Sequence, residues 1–327
     1  VSGGKDSKVL YDLARKEAIL RKRKIHVFFL DQEAEYQATV DIIKYMMTQE
    51  GVIPHWYQVP IRMTNAASLR YDFLFAWGPD EEWMREKDPM AIQEICNKYP
   101  QRFYKFFEWF ENQWDKKNTC FLVGLRAEES LNRFRAVVKN PGWNGHMWTS
   151  QNKESGVKAY PLYDWTFEDI WHHIAINKLK YNRIYDFMHW HGHRIQDVRV
   201  SYLGHENSLK SLESLHEFEP DTYLKLLDRM PGVHVAARYI KEDMVFNATK
   251  LPPAYGTWKE YREFLLETTP SAHIERFRER FTSQDENENI HRQQCRQLFI
   301  NDFEQNIPIL KKRETNEDKM KKWRDIL

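Results

Sequence analysis

The chain opens on Val1-Ser2-Gly3-Gly4-Lys5-Asp6-Ser7 and runs straight into an amphipathic stretch, Lys8-Val9-Leu10-Tyr11-Asp12-Leu13-Ala14. Two adjacent glycines let the backbone turn tightly and aim its N–H groups at one point, and a helix beginning just after them directs its positive dipole end to the same place. Such a turn is an anion cradle. Ser2 and Ser7 add hydroxyl donors and Lys5 a full positive charge, while Asp6 is a poor phosphate ligand and a good Mg2+ ligand. The set suits a nucleotide polyphosphate carried with magnesium. A turn of this kind follows the first strand of a parallel sheet, of which only Val1 is present. With no initiator Met either, an upstream strand is expected that this sequence lacks.

The spacing is neither that of the Walker loop nor that of the dinucleotide Gly-x-Gly-x-x-Gly turn. No apolar run approaches the length of a membrane span, and 42% hydrophobic residues support a sizeable core. Forty-nine basic against 48 acidic residues leave a net charge of +1, which gives no whole-protein case for nucleic-acid binding. Three cysteines, Cys96, Cys120 and Cys295, are odd in number and unpatterned, arguing for a reducing, cytoplasmic setting and against a disulfide framework.

Along the chain, residues 8–21 read as a helix and Ile25-His26-Val27-Phe28-Phe29-Leu30 as a strand buried on both faces, ending at Asp31. In a doubly wound sheet a carboxylate at a strand's carboxyl end lies near the ligand; Asp31 also suits the N-cap of a helix over 33–50. A second strand is predicted over 53–61, an irregular stretch over 62–100, and an aromatic, core-facing helix over 102–114. Residues 119–125 read as another buried strand, followed by Arg126-Ala127-Glu128-Glu129-Ser130 and Arg133, where Glu129 and Arg133 stand at i and i+4 of a helix. Residues 141–156 read as loop. Thr166 with Asp169 makes a capping-box pair before a helix, a second helix follows over 181–191, and the remainder is helical over 220–230, 258–267 and 271–281, with a charged tail from Lys311. His189, His191 and His193 do not have a standard zinc spacing.

Four pieces thus stand in order: residues 2–7; the strand ending Phe29-Leu30-Asp31; Gly124-Leu125-Arg126-Ala127-Glu128-Glu129-Ser130; and Tyr160-Pro161-Leu162-Tyr163-Asp164-Trp165-Thr166 leading into Asp169-Ile170-Trp171. The first resembles the Ser-Gly-Gly-x-Asp-Ser loop of the PP-loop, or N-type ATP pyrophosphatase, superfamily. The order of all four, over about residues 1–190, is similar to its phosphoadenosine-phosphosulfate (PAPS) reductase and ATP sulfurylase small-subunit branch. Further on, Arg199-Val200, Glu219-Pro220-Asp221-Thr222-Tyr223 and Leu251-Pro252-Pro253-Ala254-Tyr255-Gly256-Thr257-Trp258 look like the PAPS-reductase-like subgroup with an added C-terminal domain. That subgroup includes the immunoglobulin-binding regulator A proteins, described as prophage gene co-activators, and some members are paired with a ParB-like partner. The reductases' Glu-Cys-Gly-Leu-His segment and the paired cysteines of their iron–sulfur versions do not occur here, so neither a cluster nor thiol-dependent reduction is expected; Cys295 lies in Arg292-Gln293-Gln294-Cys295-Arg296.

The resemblance implies an α/β fold with a doubly wound, mostly parallel sheet of the adenine nucleotide α-hydrolase-like kind, a nucleotide domain over 1–195 and a mainly helical C-terminal domain over 196–327. It implies that Ser2, Gly3, Gly4, Lys5, Asp6 and Ser7 hold the β- and γ-phosphates of ATP, with a PAPS-like adenine nucleotide as the alternative ligand, and that Asp6 seats Mg2+. Lys5 neutralises charge as pyrophosphate leaves, and Arg126 and Arg133 orient the acceptor or the α-phosphate. Leu30 and Asp31 lie near the nucleoside, Gly124 lines the site, Glu129 and Ser130 hold the arginines, and Asp164 and Trp165 shape a wall. Three readings stand: an ATP α/β-cleaving adenylyltransferase with an unknown acceptor; a non-reducing sulfonucleotide enzyme; and a nucleotide-switched regulator working through a ParB-like partner. A second copy of the chain is a further partner class.

Overall fold

The glycine turn enters its helix three residues earlier than the amphipathic stretch predicts. Helix α1 spans Lys5–Leu20, with Gly4 as an extended N-cap and Asp6 in the first turn, where a carboxylate complements the dipole. The computed structural model describes residues 1–65, 73–94, 99–129, 142–152, 156–194, 198, 200, 202–205, 208–230, 232–233, 250–268, 274–303, 305 and 309. They form two compact units: Val1–Met63 with Phe75–Leu203 and Ser214–Arg229, and Thr64–Leu74 with Gly204–Glu213 and Met230–Leu327.

In the first unit, β1 (Ile25–Leu30) pairs in parallel with β2 (Val52–Tyr57). The link is α2, Gln37–Met47, which begins at Gln37 rather than near Glu33 because the chain makes a turn through Glu33 at φ 66°. Asp31 is therefore not its N-cap. The predicted strand over 53–61 is divided into β2 and β3 (Ile61–Thr64), and the predicted irregular stretch includes β4, Phe73–Ala76, paired with β3. Helix α1 is covered on two sides. Tyr11 joins Val27, Phe29, Ile43, Met46 and Trp56 in one cluster, and Val9 and Leu10 join Leu162, Ile170 and Ile174 in another.

The aromatic helix is α3, Phe103–Glu111; it buries Phe106 and Phe110, the latter 4.2 Å from the Phe28 ring, and leaves Tyr104 exposed. A second small sheet has β5 (Cys120–Leu122) parallel to β7 (Gly156–Ala159), which pairs antiparallel with β6 (Thr149–Asn152). The predicted burial of β5 is not found: Cys120 and Leu122 are exposed. Residues 141–156, read as loop, contain β6. Thr166 and Asp169 do form the capping box, opening α4 over Phe167–Ile176, and α5 is the shorter Ile184–Trp190.

Helix α6 (Leu209–Phe218) is followed by α7 (Pro220–Arg229). The second unit is helical, with α8 (Trp258–Thr268), α9 (Ile274–Thr282) and α10 (Glu288–Phe299) closing on Leu266, Phe277, Phe281, Leu298 and Phe303. The sequence reading missed α6 and α10, although Asn287 caps α10 by accepting from Ile290 N at 3.0 Å. The charged tail from Lys311 lies outside the described residues. The architecture is mixed α/β with parallel strand pairs and a helical C-terminal region. No described helix is long and apolar enough to cross a membrane.

Three carboxylates are buried where β1 ends. Asp31 accepts from Trp56 Nε1 and Gln58 Nε2, both at 2.9 Å, and from Glu33 N, and is paired with Arg85. Glu33, fully buried, accepts from Trp77 N at 2.7 Å and is bridged by Arg229 Nε at 2.7 Å. Arg229 also reaches Glu81 and the Phe75 carbonyl, while just before the other end of α7 Glu219 accepts from Gln37 N (2.7 Å) and Ala38 N (2.9 Å), capping α2 in place of a side-chain cap from its own N-cap residue. Glu35 accepts from Gln32 Nε2 at 3.1 Å, and burial, then the nearby Asp31 charge, pushes its carboxyl up to about 8.

Removing one partner of a buried pair strands the other charge, so Arg229→Ala should cost about 3–5 kcal/mol of unfolding free energy, read by urea titration. Glu35 gives a pH signature. Its folded pKa lies above the ordinary 4.5, so the stability it carries is complete below about 4.5 and is lost as pH rises to about 8. Glu35→Gln, neutral at every pH, should flatten the unfolding free energy in that window by up to about 1.4 kcal/mol per pH unit.

Candidate nucleotide site

The tight turn that the two glycines predict is present at the start of α1. Gly3 sits at φ 69°, where a Cβ would meet Thr39 Cγ2 at 2.8 Å, so both conformation and space favour glycine. Ser7 Oγ donates to the Gly4 carbonyl at 3.0 Å and accepts from Ser2 N at 3.3 Å, tying the turn to the helix start. Asn182 Nδ2 donates to the Gly3 carbonyl (3.2 Å) and to Thr39 Oγ1 (2.9 Å), bracing the turn against α2.

Lys5 and Asp6 are both buried, in the first turn of α1. Lys5 Nζ lies 3.1 Å from Asp6 Oδ2 and beneath two aromatic faces, 5.8 Å from the Phe167 centroid and 5.6 Å from that of Tyr185. The other carboxylate oxygen, Oδ1, accepts from Arg126 Nε at 2.5 Å. Arg126, 3% exposed, also meets Glu128 through Nη1 at 2.6 Å and Glu129 through Nη2 at 4.0 Å. Glu128 in turn accepts from Phe167 N at 2.7 Å, and Ala127 N donates to the Tyr163 carbonyl at 2.8 Å. Gly124 lets β5 end close to the loop: a Cβ there would stand 3.4 Å from the Asp6 carbonyl group and Ser7 Cα.

The structure thus brings together the first, third and fourth motifs: Ser2, Gly3, Gly4, Lys5, Asp6 and Ser7 with Gly124, Arg126 and Glu129, and with the turn before α4. Trp165 contributes its carbonyl, 3.5 Å from Arg126 Nη1, and stacks edge-on with His173; Asp164 is exposed. Asp31 has both carboxylate oxygens engaged, by Trp56 of β2, Gln58, Glu33 N and Arg85. Leu30 is a core residue, 3% exposed. Ser130, Arg133 and Arg199 lie outside the described residues. Sequence reasoning missed Tyr185, Asn182, Thr39 and the bridging role of Glu128. Tyr185, from α5, receives Lys5 N–H on its hydroxyl at 3.0 Å.

Among the described residues no group of three or more His, Cys, Asp or Glu side chains could hold a metal ion, the histidines at 189, 191 and 193 included. Cys295 is buried, its Sγ 3.7 Å from the Trp258 carbonyl, and burial pushes the thiol up to about 12. The Arg262 charge acts in the opposite direction and does not offset that desolvation.

No solved structure matches the chain. An uncharacterised protein, YbdN of Escherichia coli (strain K12), is 28% identical over 303 residues, covering 85% of this chain and 72% of that protein. Adenosine 5'-phosphosulfate reductases from Shouchella clausii (strain KSM-K16) and Oceanobacillus iheyensis (strain DSM 14371 / CIP 107618 / JCM 11309 / KCTC 3954 / HTE831) are 25% and 22% identical, each over 57% of this chain and 64% of the reductase. Residues 192–324 match a domain of unknown function, DUF3440. Residues 1–189, which contain the cradle, Asp6 and Arg126, match the phosphoadenosine phosphosulfate reductase domain, and the chain belongs to that family.

Proposed function

We propose that the protein binds ATP with magnesium at the residue 2–7 loop and cleaves it between the α- and β-phosphates, adenylylating an acceptor and releasing pyrophosphate. The observation that carries this reading is the buried Lys5–Asp6–Arg126 cluster at the N-terminus of α1. Backbone N–H groups of the turn, the helix dipole and one ammonium converge where phosphate oxygens would lie. Lys5 exchanges Asp6 Oδ2 for a phosphate oxygen, and Arg126 keeps Oδ1 in place. Asp6 Oδ2 is then the oxygen that would hold magnesium, which supplies charge neutralisation on the phosphates. An acceptor oxyanion forms a bond to the α-phosphorus while the bridging Pα–O bond breaks, its electron pair leaving with pyrophosphate. Lys5 stabilises that leaving charge, so catalysis rests on positioning and electrostatics. Arg126 acts here through Asp6, and Arg133 is assigned the orientation of the acceptor or the α-phosphate.

A second reading, a sulfonucleotide substrate such as PAPS or its relative, is favoured by the two relatives named as adenosine 5'-phosphosulfate reductases. Pyrophosphate release on mixing with ATP marks the first reading, and preference for a 3′-phosphate marks the second. In neither does Cys295 act as a nucleophile, because a buried thiol pushed to about 12 has a negligible thiolate fraction at neutral pH.

Lys5→Ala and Asp6→Ala should each lower ATP-dependent pyrophosphate release by about a hundredfold or more while the far-ultraviolet spectrum is unchanged; full activity in both would exclude this site. Thioredoxin-dependent sulfite release from PAPS should be absent, in the protein and in Cys295→Ser alike. A sulfite signal abolished by the serine variant would reverse the assignment of Cys295.

A further inference from the structure

Tyr185 belongs to none of the four motifs, yet its hydroxyl oxygen sits on the phosphate cradle. It accepts the Lys5 N–H at 3.0 Å, and a Cβ at Gly4 would stand 3.3 Å from it, a tight contact that a side chain there would relieve by pushing the hydroxyl back a few tenths of an ångström. The ring is held by Trp171 of α4, edge-on at 5.3 Å, and lies 5.6 Å from the Lys5 ammonium. The hydroxyl is buried. It uses a lone pair on the Lys5 amide, and among the described residues its own proton has no acceptor. A buried O–H left without an acceptor is unfavourable unless a ligand supplies one.

We propose that Tyr185 is a phosphate-binding residue, relaying the Lys5 amide: the N–H donates to the hydroxyl, and the hydroxyl donates its proton to a phosphate oxygen of the bound nucleotide. Accepting the amide polarises the O–H and strengthens it as a donor. Burial raises the phenol's pKa, with the Asp6 charge acting in the same direction, so the group stays protonated and serves as a donor rather than a base. This assignment rests on the nucleotide reading above and adds to it a ligand contact from α5 that no motif announces.

The test uses the full chain, with inorganic tripolyphosphate and ATP as probes in calorimetric titrations. Tyr185→Phe keeps the ring, the Trp171 contact and the face toward Lys5, and removes only the hydroxyl. It should weaken binding of both probes by about tenfold or more, the value of a hydrogen bond to a charged group. Unchanged or tighter binding would overturn the relay, because a hydroxyl that merely plugged the Lys5 amide would release a donor when removed. If the phenylalanine variant failed to fold, 3-fluorotyrosine at 185, a more acidic donor of nearly the same shape, should tighten tripolyphosphate binding, and no tightening would refute the proposal. A wild-type chain that bound neither probe would remove the nucleotide reading and this assignment together, whereas probe binding insensitive to Tyr185 would remove this assignment alone.

Discussion

The Asp6 carboxylate stands between two cations, Lys5 on one oxygen and Arg126 on the other, and is largely buried. A carboxylate so placed is stable only because both oxygens are occupied by charged donors. That requirement joins the first turn of α1 to the end of β5, and Arg126 extends the join through Glu128 to the start of α4. The glycine turn is therefore not a free loop but the meeting point of three chain segments joined by charge. Lys5 is the mobile member of the set in the proposed chemistry, since a phosphate oxygen can replace Asp6 Oδ2 as its partner without leaving Arg126 unpaired.

A second charged cluster, at the end of β1, has another character. Asp31, Glu33 and Glu35 are buried within five residues, and two are paired with arginines brought from later in the chain. Glu35 forms no arginine salt bridge among the described residues, and its burial beside Asp31 keeps it largely protonated at neutral pH despite the Arg85 charge. In α/β sheets this edge is the usual ligand side. Here Asp31 organises Trp56, Gln58 and Arg85, so the ionic network supports the turn into α2. Helix α7 then contributes Arg229 to Glu33, and Glu219 just before it caps the N-terminus of α2, so both ends of one helix anchor one turn.

Features with a local cause were legible in the residues alone. The Gly3-Gly4 turn, the strand ending at Leu30, the Thr166–Asp169 capping box and the aromatic stripe of α3 each follow from conformational freedom, apolar periodicity or a bond three residues long. The motif order led to the family for the same reason, since it is a property of the chain and not of its packing. Contacts set by the fold had no such signal. Tyr185 on the Lys5 amide spans 180 residues and Arg229 on Glu33 spans 196, and nothing in either neighbourhood marks the pairing. The early start of α1, the delayed start of α2 and the exposure of β5 likewise depend on neighbours: an amide caught by Tyr185, a turn held open by the buried Glu33, and a strand paired on one side by β7 and on the other by no described strand. Periodicity and turn chemistry act over a few residues, whereas charge pairing in a dry interior selects partners by position in space, and position is known only once the chain has folded.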